Sequence, residues 1–85
     1  MFKIIWKPKA ARQIEKIKNS NARRVIFNSI EKLVYFPNCV NIKALKNHDY
    51  AYRLRVGNYR VFFGVASNIK IISIEEVKKR DETTY

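Results

Sequence analysis

Eighty-five residues leave room for one domain with one modest core, which excludes a multidomain machine. With 47% hydrophobic and 13% aromatic residues and only two glycines and two prolines, the chain has the composition of a folded protein, not of a linker or a disordered tail. Eighteen basic residues against seven acidic ones give a formal charge of +11, so a polyanionic partner is expected, either nucleic acid or an acidic protein that shields the surface.

In chain order, Phe2 to Trp6 reads as a strand, and Pro8 follows where the first turn of a helix tolerates proline. Ala11, Ile14 and Ile17 recur at helical spacing, which predicts an amphipathic first helix ending near Asn19-Ser20-Asn21. A second helix is predicted from Ala22 to Tyr35, with Ile26, Ile30 and Leu33 on its buried stripe and Val25, Ser29 and Val34 beside them. Phe36-Pro37-Asn38 stops it. So short a connection predicts an antiparallel helix pair. Cys39 to Asp49 has no clean period and reads as a loop, with Leu45 as its core anchor.

Tyr52 to Phe63 then reads as a β-hairpin, because Gly57-Asn58 is a turn pair that accepts positive φ and is flanked by alternating apolar residues. Val56 should face Tyr59, Arg55 face Arg60, Leu54 face Val61 and Arg53 face Phe62. Leu54, Val56, Tyr59 and Val61 then share one face and Arg53, Arg55 and Arg60 the other. Like charges directly opposite each other destabilise a sheet, and planar guanidinium forks match phosphate oxygens, so this face reads as an anion site rather than plain solvated surface. A second turn at Ala66-Ser67-Asn68 leads into a strand from Ile69 to Glu76, with Ile72 and Ile74 toward the core and Ser73 and Glu75 toward the arginines. The tail from Val77 to Tyr85 is polar and charged. The expected architecture is one α+β domain over residues 1–85. It is β-α-α-β-β-β, with a two-helix antiparallel hairpin on one face of a mostly antiparallel four-stranded sheet whose other face is open and basic.

Cys39 is the one cysteine, so no internal disulfide can form and a reducing compartment fits; it reads as a small loop or core residue. The N-terminus is too short for a signal sequence and no apolar run approaches a membrane span, so the protein is expected to be cytoplasmic. One histidine and one cysteine offer no cluster with metal-ligand spacing, so neither metal nor cofactor is expected.

The order of elements, the Leu45-Lys46 lead into the sheet, the run from Tyr52 to Val61, and the final Val77-Lys78-Lys79-Arg80-Asp81-Glu82 with Tyr85 resemble the RelE/ParE superfamily of bacterial toxins, the toxic halves of type II toxin-antitoxin modules. That superfamily has two branches, RelE-like ribonucleases that cut messenger RNA on the ribosome and ParE-like proteins that poison DNA gyrase. RelE-like enzymes have basic side chains on the hairpin, an arginine on its second strand, another after the last strand, and a tyrosine in the tail. Here these positions hold Arg53 and Arg55, Arg60, Arg80 and Tyr85. Two hairpin positions carry arginine where the best-known members have lysine, and arginine stays protonated and makes a poor general base.

The resemblance implies a metal-independent endoribonuclease that inhibits translation, with messenger RNA, the ribosome and an acidic antitoxin as partners. Arg60 and Arg80 would hold the phosphorane, while Arg53 and Arg55, with Lys78 and Lys79, would bind RNA. Candidates for the general base are His48, Glu75, Glu76, Asp81, Glu82 and Tyr85. Tyr85 could instead stack on a base or simply pack the tail. Lys9, Arg12, Lys16, Lys18, Arg23 and Arg24, with Glu15 the one acid among them, would offer ribosomal RNA a second cationic surface. The alternatives are a gyrase inhibitor without nuclease activity, which needs no base, and a plain nucleic-acid-binding module.

Overall fold

The computed structural model describes residues 1–80, so Asp81, Glu82 and Tyr85 lie outside the described residues. Strand β1 (Lys3–Trp6) leads into α1 (Pro8–Glu15), α2 (Ser20–Glu31) and a 3-10 turn (Lys32–Tyr35), followed by β2 (Ile42–Ala44), β3 (Tyr52–Val56), β4 (Tyr59–Ala66) and β5 (Ile71–Lys79). The strands form one sheet in the order β1-β5-β4-β3-β2, with β1 parallel to β5 and every other pair antiparallel. No helix among the described residues is long and apolar enough to cross a membrane.

The hairpin takes the register expected from Gly57-Asn58, from Val56 opposite Tyr59 out to Arg53 opposite Phe62, and Gly57 carries the positive φ of +56° that the turn requires. Leu54, Val61, Phe63, Ile72, Ile74 and Val77 point to one face, where Ala10 and Ile14 of α1, Ile26 and Ile30 of α2, and Leu33 of the 3-10 turn close over them. Phe36 meets Phe2, Tyr52 and Phe63 edge-on, sealing the end of this core.

Several features depart from the sequence expectations. The sheet has five strands, because Ile42–Ala44 pairs with Tyr52–Leu54 as a short edge strand inside the stretch expected to be loop. The first helix ends at Glu15, and Asn19 instead caps α2 by accepting a hydrogen bond from Ala22 N at 3.0 Å. Ala10, not Ala11, is its fully buried alanine, and Val25 stands 45% exposed. Leu45 is half-buried and outside the core cluster.

The last departure lies in β5. Phe62 pairs with Glu76 and Phe63 with Ile74, so Glu75 is an extra residue in a β-bulge. Without it, strict alternation would turn Glu76 into the core and Val77 out of it. Beside the bulge β1 has ended, and Gln13 of α1 accepts a hydrogen bond from Val77 N at 2.7 Å, satisfying a donor that no strand reaches.

Candidate anion site on the open sheet face

Alternation from the buried Leu54, Val61 and Val77 puts Arg55, Arg60 and Lys78 on the opposite face. Because Arg55 pairs with Arg60 and Arg60 with Lys78, they form a cationic row across β3, β4 and β5. One step along, the row is Lys43, Arg53, Phe62 and Glu76. Arg80 joins from beyond β5, where its backbone N–H donates to Asn58 O at 2.6 Å and ties it to the hairpin turn. Arg60, Phe62, Lys78, Lys79 and Arg80 together line a pocket of about 170 Å³. That is smaller than the roughly 300 Å³ at which pockets begin to take whole small molecules, and it suits an anionic group on a chain that continues outside.

Among the described residues the one ion pair is Lys9 Nζ to Glu76 Oε1 at 3.4 Å, so Arg53, Arg55, Arg60, Lys78 and Arg80 have no carboxylate partner there. Arg53 also keeps its Nε buried without a hydrogen-bond partner. A charge row across three strands with no carboxylate partner among the described residues is a repulsion that a bound anion would relieve.

An aromatic cluster adjoins this pocket. The chain turns at Asn47, with φ of +51°, and lays His48 and Tyr50 on Phe62, at 5.1 Å and 18° for the imidazole and 5.4 Å and 30° for the phenol. Phe62 is thereby 8% exposed on an otherwise polar face. His48 Nδ1 accepts a hydrogen bond from Tyr50 N at 3.1 Å, so in the neutral ring the proton sits on Nε2. Burial pushes the Glu76 carboxyl up, but the hydrogen bonds from Tyr50 and Lys9 and the charges of Lys9 and Lys78 outweigh it and hold the group below the ordinary glutamate range. The Tyr50 hydroxyl is raised in turn, chiefly by its hydrogen bond to Glu76, then by burial and by the charge of Glu76.

Residues 4–83 match the family model described as the ParE toxin of type II toxin-antitoxin system, parDE. The chain belongs to this toxin family, within the RelE/ParE superfamily. Solved structures agree on the fold. The archaeal RelE of the RelE–RelB complex from Pyrococcus horikoshii OT3 is 21% identical, with a TM-score of 0.77 over 96% of this chain and 98% of that one. The isolated E. coli RelE toxin is 13% identical, with a TM-score of 0.79 over 99% and 89%. A YoeB/ParE toxin from Agrobacterium tumefaciens is 15% identical, with a TM-score of 0.74 over 94% and 100%. Comparison with curated proteins gives no match.

The toxin's predicted site residues fall into three groups. Arg60, Lys78, Lys79 and Arg80 meet in one pocket, although Lys79 pairs with Tyr59 and also lines a neighbouring cleft with Gln13 and Lys16. Arg53 and Arg55 share the face, but Arg55 also lines a separate groove of about 640 Å³ with Lys32, Tyr35 and Val40 on the helix side. Of the base candidates, Glu75 accepts a hydrogen bond from Ser73 Oγ at 2.9 Å beside Gly64, whose missing Cβ would stand 3.2 Å from that hydroxyl. Glu76 is held by Lys9 and Tyr50, and His48 has its basic nitrogen engaged. Asp81, Glu82 and Tyr85 lie outside the described residues.

Not all of the helix cations are available to a partner. Lys9 is spent on Glu76, and the Arg23 guanidinium donates to Ile17 O in the connection between α1 and α2. The sequence reading missed Tyr50 and gave Phe62 no role. An aromatic side chain alternating with arginines was the available signal.

Proposed function

We propose that this toxin is a ribosome-dependent endoribonuclease that cleaves messenger RNA without a metal and is held inactive by an acidic antitoxin. The observation that carries the reading is the pocket in which Arg60, Lys78, Lys79 and Arg80 converge beside Phe62 with no carboxylate partner among the described residues. Cleavage through the RNA 2′-hydroxyl passes through a dianionic phosphorane. Preorganised cationic donors aimed at that charge are each worth on the order of 3 kcal/mol. Arg60, half-buried on β4, and Arg80, tied to the hairpin turn, are the donors for this role. Lys78 and Arg53 would steady the flanking phosphates.

Proton transfer is the weak part of the site. Every described carboxylate or imidazole candidate is already engaged, and arginine does not deprotonate at neutral pH. The RNA must therefore arrive close to in-line geometry, and a ribosomal decoding site can supply that positioning. The antitoxin belongs to the same reading. A surface of formal charge +11 favours an acidic companion, and the archaeal relative was solved as a RelE–RelB complex.

The scarcity of a free base among the described residues also supports a second reading, inhibition of DNA gyrase by binding alone. The purified toxin should be tested on programmed ribosomes, on naked messenger RNA, and on gyrase in a supercoiling assay. Cleavage only on ribosomes, leaving 2′,3′-cyclic phosphate ends, is the expected result. Intact messenger with blocked supercoiling would establish the second reading instead.

A further inference from the structure

The loop that covers the open face ends in a flat surface no phosphate contact requires. Phe62 could be sheltered by any apolar side chain, yet it is covered by two rings, and the imidazole of His48 lies nearly parallel to it while remaining exposed. Phe62 is at once the backing of that imidazole and a wall of the Arg60–Arg80 pocket, so the two surfaces adjoin. The imidazole is held from two sides. Its Nδ1 is fixed by Tyr50 N, and Tyr50 packs on the same phenyl ring, whose cross-strand partner Glu76 is held by Lys9 from α1. An exposed π-face braced this way beside a cationic pocket matches a nucleotide, with phosphate in the pocket and base on the ring.

We propose that His48, backed by Phe62, is a stacking platform for the nucleobase attached to the phosphate in the Arg60–Arg80 pocket. The ligand class is single-stranded RNA, so the inference rests on the RNA-acting reading above. The role follows from ring geometry and not from proton transfer, since the nitrogen that could accept a proton is already occupied by Tyr50 N.

The test is an NMR titration of the purified toxin, and of its His48→Ala, His48→Phe and Arg60→Ala variants, with adenosine 3′-monophosphate and separately with inorganic phosphate. In the wild type the nucleotide should bind more tightly than phosphate, with upfield ring-current shifts of the adenine protons. His48→Ala should weaken nucleotide binding on the order of tenfold, leave phosphate binding unchanged and abolish the upfield shifts. His48→Phe should keep both affinity and shifts, and Arg60→Ala should weaken both ligands. The platform is overturned if the nucleotide binds no better than phosphate, if His48→Ala binds it like wild type, or if His48→Phe is as weak as His48→Ala. Failure of the ribonuclease reading is read separately, as intact messenger on ribosomes from a toxin whose nucleotide binding still depends on His48.

Discussion

The two faces of the β3-β4-β5 meander are built from the same backbone and obey opposite rules. Val61 is fully buried, while its neighbours Arg60 and Phe62 point the other way, one into a cationic row and the other under a covering loop. On the core face each large side chain is worth about 1.5–3 kcal/mol of burial, whereas a like-charge pair across strands costs about 0.2–1 kcal/mol. The core can therefore carry the repulsion of Arg55, Arg60 and Lys78 and still hold the strands in register. Stability resides on one face and ligand chemistry on the other, separated by one peptide unit.

That division is broken or sharpened most directly by paired substitutions on adjacent strands. Leu54→Ala, on the core face and 4% exposed, should destabilise the protein by about 2–5 kcal/mol and lower the thermal midpoint by at least about 8 °C. Arg60→Ala, opposite Arg55 and Lys78, should leave the melt unchanged or slightly higher while reducing ribosomal cleavage about 10²–10³-fold. Circular dichroism melts beside a cleavage assay read both. An unfolded Arg60→Ala protein would mean that the cationic row also supports the fold.

How much of this was legible depends on what sets each feature. The hairpin register was readable in full, because a two-residue turn leaves the alternating flanks one pairing. Arg53 and Arg60 followed from it. The bulge was not readable, since Glu75-Glu76-Val77 looks like a strand losing its pattern, and only the pairing of Phe63 with Ile74 reveals the extra residue. Strand β2 is three residues long, with Lys43 and Ala44 exposed, too short for a period to show. The aromatic cover on Phe62 depends on the left-handed turn at Asn47, a conformation whose consequence at Phe62, fifteen positions on, no local pattern announces. Arg80 reached the site through a backbone bond to Asn58, which carries no side-chain signature.

The joint between the faces is the bulge, and Gln13 tests it. Its side-chain oxygen accepts from Val77 N in a partly buried position, so Gln13→Ala should strand that donor and cost about 1–3 kcal/mol, whereas Gln13→Glu keeps an acceptor there and should cost less. Urea unfolding gives the energies, and hydrogen exchange at the Val77 amide shows whether the loss is local. Unchanged protection in Gln13→Ala would mean that the bulge is held by β4 alone.

The smallest expected effect lies on the open face, in the anchor of the loop that carries His48. Glu76 is held below its ordinary value near 4.5, because the Tyr50 and Lys9 contacts and the Lys78 charge outweigh the opposing effect of burial. A carboxyl depressed in the folded state stabilises fully above the unfolded value, and that contribution is lost as pH falls through the lower folded value. The anchor should therefore be intact at pH 7 and weaken as the pH falls below the ordinary carboxyl value toward the lower folded one. Glu76→Gln removes the titrating charge while keeping an oxygen for Tyr50. Between pH 5 and pH 3 the wild type should lose more stability than Glu76→Gln, measured by urea unfolding at matched ionic strength. The imidazole resonances of His48 should broaden or shift over the same range in the wild type and not in the variant. Parallel pH curves for the two proteins would show that the stack on Phe62 holds the loop without its carboxylate.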